Sequence, residues 1–350
     1  MLSQLATQAL LAVAVLCTAC TSDGSGEVAD ETQDVIGGFP AFSAKLDGIG
    51  AVGIIGDLDT ILPVCTGTLV TPTMVLTAEH CVEEFQVEEL RFLIGPNAVE
   101  PRRVVPVRAV ARETLVVGSM TGLGSDIAVM HLAEPVLDAP LVAYAPFDDF
   151  PIGRRFSVVG YGFRNNDEDF GARLAGSVSL RGTTGLIFEI LFGSYERFLA
   201  EAAGLVGFEQ DPESLREAYE NERLLDGYEA LLGAQALDAN ACVGDSGGPI
   251  IGRNDNRSTV YGVTSWGYGA DDQVCALGGI GAMLGPAAIE FVDREAACPM
   301  IPAEGACEGD VALNCVGEGR SWAPERIDCA EGGFICSFDE DGYAGCADEP

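Results

Sequence analysis

Short apolar runs, rich in β-branched residues and broken by Gly and Pro, dominate the first part of the chain. Between residues 35 and 100, segments such as 50–55 and 67–70 have the length of strands, and segments 104–111 and 156–160 continue the pattern. Runs of this length, separated by turn residues, are typical of β-strands. The pattern predicts a β-barrel or β-sandwich.

The spacing of apolar residues becomes helical from about residue 187 to residue 236. Apolar residues recur at helical intervals between Phe188 and Leu199, which predicts a first helix. A second helix is predicted after Asp211, a suitable N-cap, with Pro212 at its first position, continuing through Leu225. We favour a self-packed hairpin on the barrel surface over a lid that controls access of the substrate.

The first 34 residues have a different character. Residues 2–19 are apolar and too short for a confident membrane span, which predicts a secretory signal within residues 1–20. Cys20 ends a segment similar to a bacterial lipoprotein processing box and would be lipidated; the alternative is an ordinary signal cut near Ala19. Residues 21–34 are small and acidic, which predicts a disordered tether or pro-segment. Either alternative predicts an exported protein, anchored by lipid at the outer surface or in the periplasm, or secreted.

Charge restricts the class of partner. The 350 residues are 48% hydrophobic, enough for a packed core, yet they carry a formal net charge of −35, with Lys45 as the single lysine. Such a surface repels nucleic acid and anionic lipid headgroups. We therefore expect no nucleic-acid partner.

Twelve cysteines in an exported chain predict disulfides rather than a zinc site. Half of them lie in residues 298–350, namely Cys298, Cys307, Cys315, Cys329, Cys336 and Cys346. Six cysteines allow fifteen connectivities, and the sequence does not choose among them. A segment this small depends on disulfides for stability. We expect its aromatic residues Trp322, Phe334 and Tyr343 to fill or cap a small core rather than to contact a ligand.

Three separate segments supply the groups that nucleophilic hydrolysis needs. Ser246 lies in Gly-Asp-Ser-Gly-Gly-Pro, His80 in Ala-Glu-His-Cys, and Asp126 begins an apolar run. A serine hydroxyl needs an imidazole to accept its proton, and a buried carboxylate fixes the tautomer of that imidazole. The backbone N–H groups of Gly244 and Ser246 could hold an oxyanion. The second of the two histidines, His131, lies in an apolar strand, where we expect a structural role.

Together these segments resemble the chymotrypsin/trypsin family of serine proteases, whose catalytic residues follow the order His, Asp, Ser. Residues 77–81 resemble the histidine motif of the family, residues 65–70 the strand before it, and residues 35–38 the mature N-terminus. The resemblance spans roughly residues 35–292 and implies an all-β fold of two six-stranded antiparallel barrels with the active site between them. We expect a protease domain over residues 35–297, with the helical insertion at about 187–236, and a disulfide-rich module over residues 298–350.

The resemblance also implies two disulfides and a set of substrate contacts. Cys65 would pair with Cys81 and Cys242 with Cys275. The residues implied in substrate binding are Asn240, Ala241, Thr264, Ser265, Trp266 and Gly267. Asn240 stands where the family decides primary specificity, and its neutral amide predicts a pocket for neutral polar or apolar side chains.

The resemblance also implies how the protein is activated. A new amine at Val35 would pair with Asp245, after cleavage behind Asp34 by a protease with acidic preference or by the protein itself. Glu79 departs from the small residue that commonly precedes the catalytic histidine, and we expect it to point to solvent rather than to act on His80.

These observations predict a serine endopeptidase that acts on protein or peptide substrates through an acyl-enzyme, with no metal and no organic cofactor. One alternative is a non-enzymatic surface protein that uses the protease fold and the Cys-rich module for binding. Another is a locked zymogen whose role is to be cleaved in a cascade. Retention of Ser246, His80 and Asp126 favours the enzyme.

Overall fold

The computed structural model describes residues 38–56, 60–113, 125–163, 170–202, 211–255, 257–267 and 278–348. The predictions made for the leader, Cys20, the acidic segment, Val35 and Cys275 lie outside the described residues.

Six antiparallel strands close into a first barrel, preceded by the two-residue strand β1 (Phe39–Pro40). The barrel strands are β2 (Ile49–Ile55), β3 (Ile61–Thr71), β4 (Met74–Thr77), β5 (Leu90–Ile94), β6 (Arg103–Arg112) and β7 (Ala128–Leu132). Around the barrel they follow the order β2, β3, β4, β7, β6, β5, and β5 pairs with β2. Closure leaves no unpaired strand edge.

A second ring of six antiparallel strands follows the short strand β8 (Ala143–Tyr144). Its members are β9 (Arg155–Gly160), β10 (Leu174–Gly182), β11 (Glu229–Leu232), β12 (Pro249–Asn254), β13 (Arg257–Gly267) and β14 (Gly279–Met283). The order around the ring is β9, β10, β11, β14, β13, β12, and β12 pairs with β9. The predicted fold of two six-stranded antiparallel barrels is confirmed.

The helical insertion differs from its prediction in two ways. The single helix expected near residues 188–199 is two helices, α1 (Ile187–Phe192) and α2 (Tyr195–Ala202), because Gly193 ends α1 in the left-handed conformation at φ +78°. The next helix, α3 (Pro212–Asn221), begins as predicted, and the Asp211 carboxylate caps it by accepting N–H donors at 3.0 and 3.1 Å.

The predicted C-terminal limit of the helical insertion, about residue 236, is too far along the chain. Residues 229–232 form strand β11, which is buried and pairs with β10 and β14 of the second barrel. A run of four buried residues is too short to distinguish a helix from a strand, since the period of the apolar residues is visible only over a longer segment. The apolar faces of the helices pack on Leu231 and Ile280 of this barrel.

Helix α4 (Pro286–Ala297) continues past residue 292, where the family resemblance ends, and leads directly into the disulfide-rich module. The module contains β15 (Ala306–Glu308), β16 (Val311–Glu318), β17 (Ser321–Asp328), β18 (Ile335–Phe338) and β19 (Ala344–Ala347). Its six cysteines pair as Cys298–Cys315, Cys307–Cys336 and Cys329–Cys346. The first of these disulfides joins the end of α4 to β16.

The module is also fixed to helix α4 and strand β8 by polar contacts. The Arg320 guanidinium donates to Asp293 of α4 at 2.7 Å, and the Tyr144 hydroxyl donates to the other oxygen of the same carboxylate at 2.8 Å. The expectation that all its aromatic residues fill or cap a core is wrong, because Phe334 and Tyr343 are 41% and 57% exposed. The described part of the module contains only one three-stranded and one two-stranded sheet. Its disulfides therefore supply the stability that a larger hydrophobic core would provide.

A fully buried arginine organises the segment between β1 and β2. The Arg173 side chain is 0% exposed, and its guanidinium lies 3.1 Å from Asp47 Oδ1. It also donates to four backbone carbonyl oxygens, at 2.8–3.0 Å, those of Ala41, Ser43, Leu46 and Ile49. The fixed fork of a guanidinium suits this many acceptors, whereas a lysine ammonium does not.

We expect Arg173→Lys to lower the free energy of unfolding by about 3 kcal/mol, because buried carbonyls and Asp47 lose their donors. Arg102→Lys is the matched control, because Arg102 pairs with the same carboxylate but its side chain is 55% exposed. We expect this substitution to lower the free energy of unfolding by less than about 1 kcal/mol. Urea unfolding with the disulfides intact measures both, and equal losses would contradict the role given to Arg173.

Candidate active site

Strand pairing brings His80 and Asp126 together across 46 positions of sequence. His80 lies in a 3-10 turn (Glu79–Cys81) after β4, Asp126 lies just before β7, and Thr77 of β4 faces Ala128 of β7. The Nδ1 atom of His80 is 2.9 and 3.1 Å from the two carboxylate oxygens of Asp126. The His80 backbone N–H donates to the same carboxylate at 3.0 Å.

This contact fixes the state of the imidazole. Asp126 is 2% exposed and its carboxylate accepts hydrogen bonds, so the neutral His80 imidazole carries its proton on Nδ1 and leaves Nε2 unprotonated. The Ser265 hydroxyl donates a hydrogen bond to the same carboxylate. The sequence implicates Ser265 only in substrate binding, because no local pattern marks a side-chain contact between two barrels.

The predicted disulfide between Cys65 and Cys81 is confirmed, and it joins β3 to the turn that carries His80. Cys242 is disulfide-bonded as well, although its expected partner lies outside the described residues. The Sγ atoms of Cys65 and Cys81 lie near the His80 ring. Both sulfurs belong to the disulfide, so they are not thiolate ligands for a metal.

Ser246 projects from a tight turn held between the two barrels. The Ser246 carbonyl accepts the Thr66 N–H at 2.8 Å, and the Gly247 N–H donates to Thr264 O at 2.7 Å. Gly247 has φ +77°, and a Cβ atom there would lie 2.1 Å from Thr77 Oγ1, so only glycine fits.

The Ser246 hydroxyl donates to Ser265 O at 3.3 Å, and within the described ranges no hydrogen bond joins it to His80. Catalytic hydrogen bonds are often long or poorly aligned before substrate binds, and they tighten in the complex with substrate.

Two backbone donors beside Ser246 are available for an oxyanion. The Val243 carbonyl accepts the Phe163 N–H at 3.0 Å, and a planar trans peptide directs the Gly244 N–H the opposite way. The Gly244 carbonyl is held at 2.8 Å by the Thr66 hydroxyl. Across the part of the chain that the structure describes, neither the Gly244 N–H nor the Ser246 N–H donates to another protein group. Gly244 has φ +95°, which favours glycine.

Asp245 is buried beneath this turn. It is 3% exposed and accepts the N–H groups of Gly162 and Cys242, each at 2.8 Å. Burial raises the pKa of Asp245 to about 6, although the two backbone hydrogen bonds lower it. Among the described residues, no Lys, Arg or His forms an ion pair with this carboxylate. When it is ionised, the Asp245 carboxylate therefore has no cationic partner among the described residues.

The residues predicted to bind substrate fall into two groups. Asn240 already uses its Oδ1 to accept the Gly278 N–H at 3.1 Å, and Ala241 and Thr264 line a small apolar space inside the second barrel. Trp266 is half-buried and packs against the helical insertion, whereas Gly267 is exposed. Residues 268–277, which follow this strand, lie outside the described residues.

Glu79 does not point freely to solvent as expected. Its side chain is 27% exposed and its Oε1 lies 4.0 Å from Arg112 Nε, while burial raises the pKa of Glu79. His131 is buried on β7, with Nε2 2.9 Å from Glu295 Oε2 of α4, which suits the structural role expected for it.

The pKa of His80 is raised above its ordinary value of 6.5. Burial lowers this pKa, but the hydrogen bond and the charge of Asp126, with the charge of Glu83, raise it by more. Catalysis by general base requires neutral His80, so kcat/KM should rise with pH through an apparent pKa above 6.5.

Glu83→Gln removes one of these charges. We expect a lower apparent pKa, with faster turnover than the unmodified protein near pH 6.5 and equal turnover at pH 9. Glu84→Gln, a neighbouring exposed residue, is the matched control and should leave the profile unchanged. The measurement is kcat/KM against pH, and an unshifted Glu83→Gln profile would contradict this assignment.

No helix within the described ranges combines the length and the apolar character needed to cross a membrane.

Comparison with known proteins places these features in a family. The family model described as Trypsin matches residues 37–182 and 215–279, more than half of the chain, and the gap between the two matched segments contains α1 and α2. Transmembrane protease serine 5 of Homo sapiens is 25% identical over 215 residues, which cover 59% of this chain and 41% of the relative. Trypsin of Sarcophaga bullata is 25% identical over 211 residues, covering 59% of this chain and 69% of the relative.

A third relative, tissue-type plasminogen activator of Pongo abelii, is 49% identical over a short stretch of 41 residues, 12% of this chain and 7% of the relative. The chain thus spans less than half the length of the human protease and about two thirds of the Sarcophaga trypsin. By its two closed barrels and by the match over more than half of its length, the chain belongs to the trypsin family.

Proposed function

We propose that this protein is a serine endopeptidase that cleaves protein or peptide substrates through an acyl-enzyme. The observation that carries the proposal is the contact of His80 with Asp126, next to a turn that leaves two N–H donors beside the Ser246 hydroxyl. Ser265 joins these parts, because its hydroxyl donates to Asp126 and its carbonyl accepts the Ser246 hydroxyl.

In the proposed reaction, Ser246 Oγ attacks the carbonyl carbon of the substrate while its proton passes to Nε2 of His80. The N–H groups of Gly244 and Ser246 would stabilise the oxyanion, and His80 would then protonate the leaving amine. Water, activated by the same imidazole, hydrolyses the acyl-enzyme and restores the Ser246 hydroxyl. Asp126 keeps Nε2 directed at these steps and stabilises the imidazolium.

The direct test is hydrolysis of an unstructured protein such as β-casein by purified chains that begin at Val35. We expect new peptide termini, detected by mass spectrometry, and the residues before each cut would define primary specificity. The Asn240 amide leads us to propose neutral polar or apolar side chains at that position. A folded, processed chain that produces no cleavage would favour the non-enzymatic binding protein.

We further propose export through a leader in residues 1–20, lipidation at Cys20 as in bacterial lipoproteins, and activation by a cut between Asp34 and Val35. The buried Asp245 carboxylate supports the activation step, because an ammonium group at Val35 would supply the cation that it lacks among the described residues. N-terminal sequencing and intact mass of the active form test all three steps.

Asp245 should make stability depend on processing. Its folded-state pKa of about 6 exceeds its ordinary value of 3.8, so without a cation its ionisation lowers stability as pH rises from about 4 to 6, by about 3 kcal/mol. The Val35 ammonium would restore this energy in full below about pH 8, the ordinary pKa of an α-amino group. Pairing with Asp245 raises the pKa of the ammonium in the folded state, so the gain is lost as pH rises above 8.

We therefore expect processed chains to unfold at higher urea concentration than unprocessed chains at pH 7, and the difference to vanish at pH 4. Asp245→Asn is the control, since it keeps the shape and removes the charge, and it should abolish the difference. An identical pH dependence for processed and unprocessed chains would contradict the ion pair.

A further inference from the structure

A cavity of about 410 Å³ lies where the first barrel, helix α4 and the disulfide-rich module meet. Arg112 and Glu113 line it from the end of β6, Phe291 and Arg294 from α4, and Trp322 from β17. None of these residues belongs to the proposed catalytic machinery. A volume of this size is typical of sites for small ligands.

The walls of the cavity are held in place from both sides. The Cys298–Cys315 disulfide and the Arg320–Asp293 ion pair fix the module to α4, and Tyr144 binds the same Asp293 from the barrel side. A preformed cavity binds a ligand without the cost of ordering its walls.

Two guanidinium groups face this cavity in a chain with a net charge of −35. Arg112 is about half exposed, and its Nε atom lies 4.0 Å from Glu79, a distance too long for a hydrogen bond. Arg294 uses one NH2 group to donate to Glu295 at 2.7 Å. A guanidinium has five donors, so both residues retain N–H groups for a carboxylate.

Glu113 provides an independent indication of a ligand. It is 4% exposed, and one of its oxygens accepts the Ser125 hydroxyl. Its other oxygen, Oε1, is buried and has no hydrogen-bond partner among the described residues. Leaving a buried polar atom unpaired costs about 1–3 kcal/mol. Burial raises the pKa of Glu113 to about 7, although the Ser125 hydroxyl lowers it, and in its protonated form the carboxyl can donate to an anion.

The remaining walls are apolar and aromatic. Phe291 and Trp322 are half-buried, and Trp322 satisfies its indole N–H with Gly319 O at 2.9 Å. Among the described residues, Glu290 is the one other carboxylate in the lining, and it is exposed, so water screens its charge. We propose that this cavity binds an aromatic carboxylate, supplied either as a free small molecule or as the carboxyl-terminal Phe or Tyr of a polypeptide.

Calorimetric titration of the Ser246→Ala chain tests the proposal without cleavage of the probe. The probes are 3-phenylpropionate and the tripeptide Gly-Gly-Phe, each compared with its amide. We expect the acids to bind at least tenfold more tightly than the amides. Tighter binding by the small acid would indicate a free metabolite as the source, and tighter binding by the peptide would indicate a polypeptide terminus.

Arg112→Gln should weaken binding of the acids at least tenfold. Trp322→Leu should weaken binding of the acids and of the amides to a similar extent. Arg108→Gln is the matched control, because Arg108 is exposed on the same strand and does not line the cavity. Circular dichroism verifies the fold of each variant. Equal affinity for acid and amide, or binding that survives Arg112→Gln, would overturn the proposal. Because these readouts are affinities, they are independent of whether the protein proves to be a protease.

Discussion

Ser246→Ala should lower kcat/KM of the processed protein by about 10⁵- to 10⁶-fold, because no other group can form the acyl-enzyme. The residual rate would come from the oxyanion donors and from substrate binding. The fold should be unchanged, since among the described residues the Ser246 hydroxyl makes one weak hydrogen bond, to Ser265 O at 3.3 Å. Progress curves with a fluorogenic peptide chosen from the casein cuts provide the measurement.

Ser258→Ala is the matched control for this substitution. Ser258 is exposed on β13 of the second barrel, so its removal should leave kcat/KM within about twofold. An alanine variant at Ser246 that retained more than one per cent of the activity would show that another residue is the nucleophile.

Asp126→Asn should lower kcat by about 10⁴-fold while the barrels remain folded. The carboxylate accepts from Nδ1 of His80, from the His80 backbone N–H and from the Ser265 hydroxyl. An amide has only one acceptor oxygen, and its NH2 group opposite the ring favours the tautomer with the proton on Nε2. That tautomer has no base directed at Ser246, so catalysis fails although the geometry is kept.

Ser265→Ala separates the effect of orienting the Asp126 carboxylate from the effect of its charge. It removes one donor to Asp126 but leaves the carboxylate, and we expect a loss of no more than about tenfold. Single-turnover kinetics on both variants measure the acylation step. Similar losses for Asp126→Asn and Ser265→Ala would contradict the proposed tautomer control.

Local motifs marked Ser246, His80 and Asp126 as candidates, because each motif contains its chemical group. The disulfide between Cys65 and Cys81, which the structure confirms, was predicted from the family resemblance. The two barrels followed from the resemblance, since short apolar runs alone leave a barrel and a sandwich equally open. The sequence did contain one signal that was missed: Gly193, inside the apolar run, marks the end of α1.

Other features of the structure could not be predicted from a local sequence pattern. Arg173 contacts residues more than 120 positions away, and Thr66 donates to Gly244 across 178 positions. Side-chain hydrogen bonds to backbone at such separations depend on the final packing of the two barrels. The cavity beside α4 has the same origin, because its walls come from β6, α4 and β17 and exist only once the module is docked.

Labelling with a serine-reactive fluorophosphonate tests the central claim most directly. Intact-mass spectrometry of chains that begin at Val35 should show one adduct per chain, located on Ser246 by peptide mapping, with no adduct on Ser246→Ala and much slower labelling of Asp126→Asn. A folded, processed chain that takes up no adduct, or one labelled at another residue, would contradict the assignment of Ser246, His80 and Asp126 as a working catalytic triad.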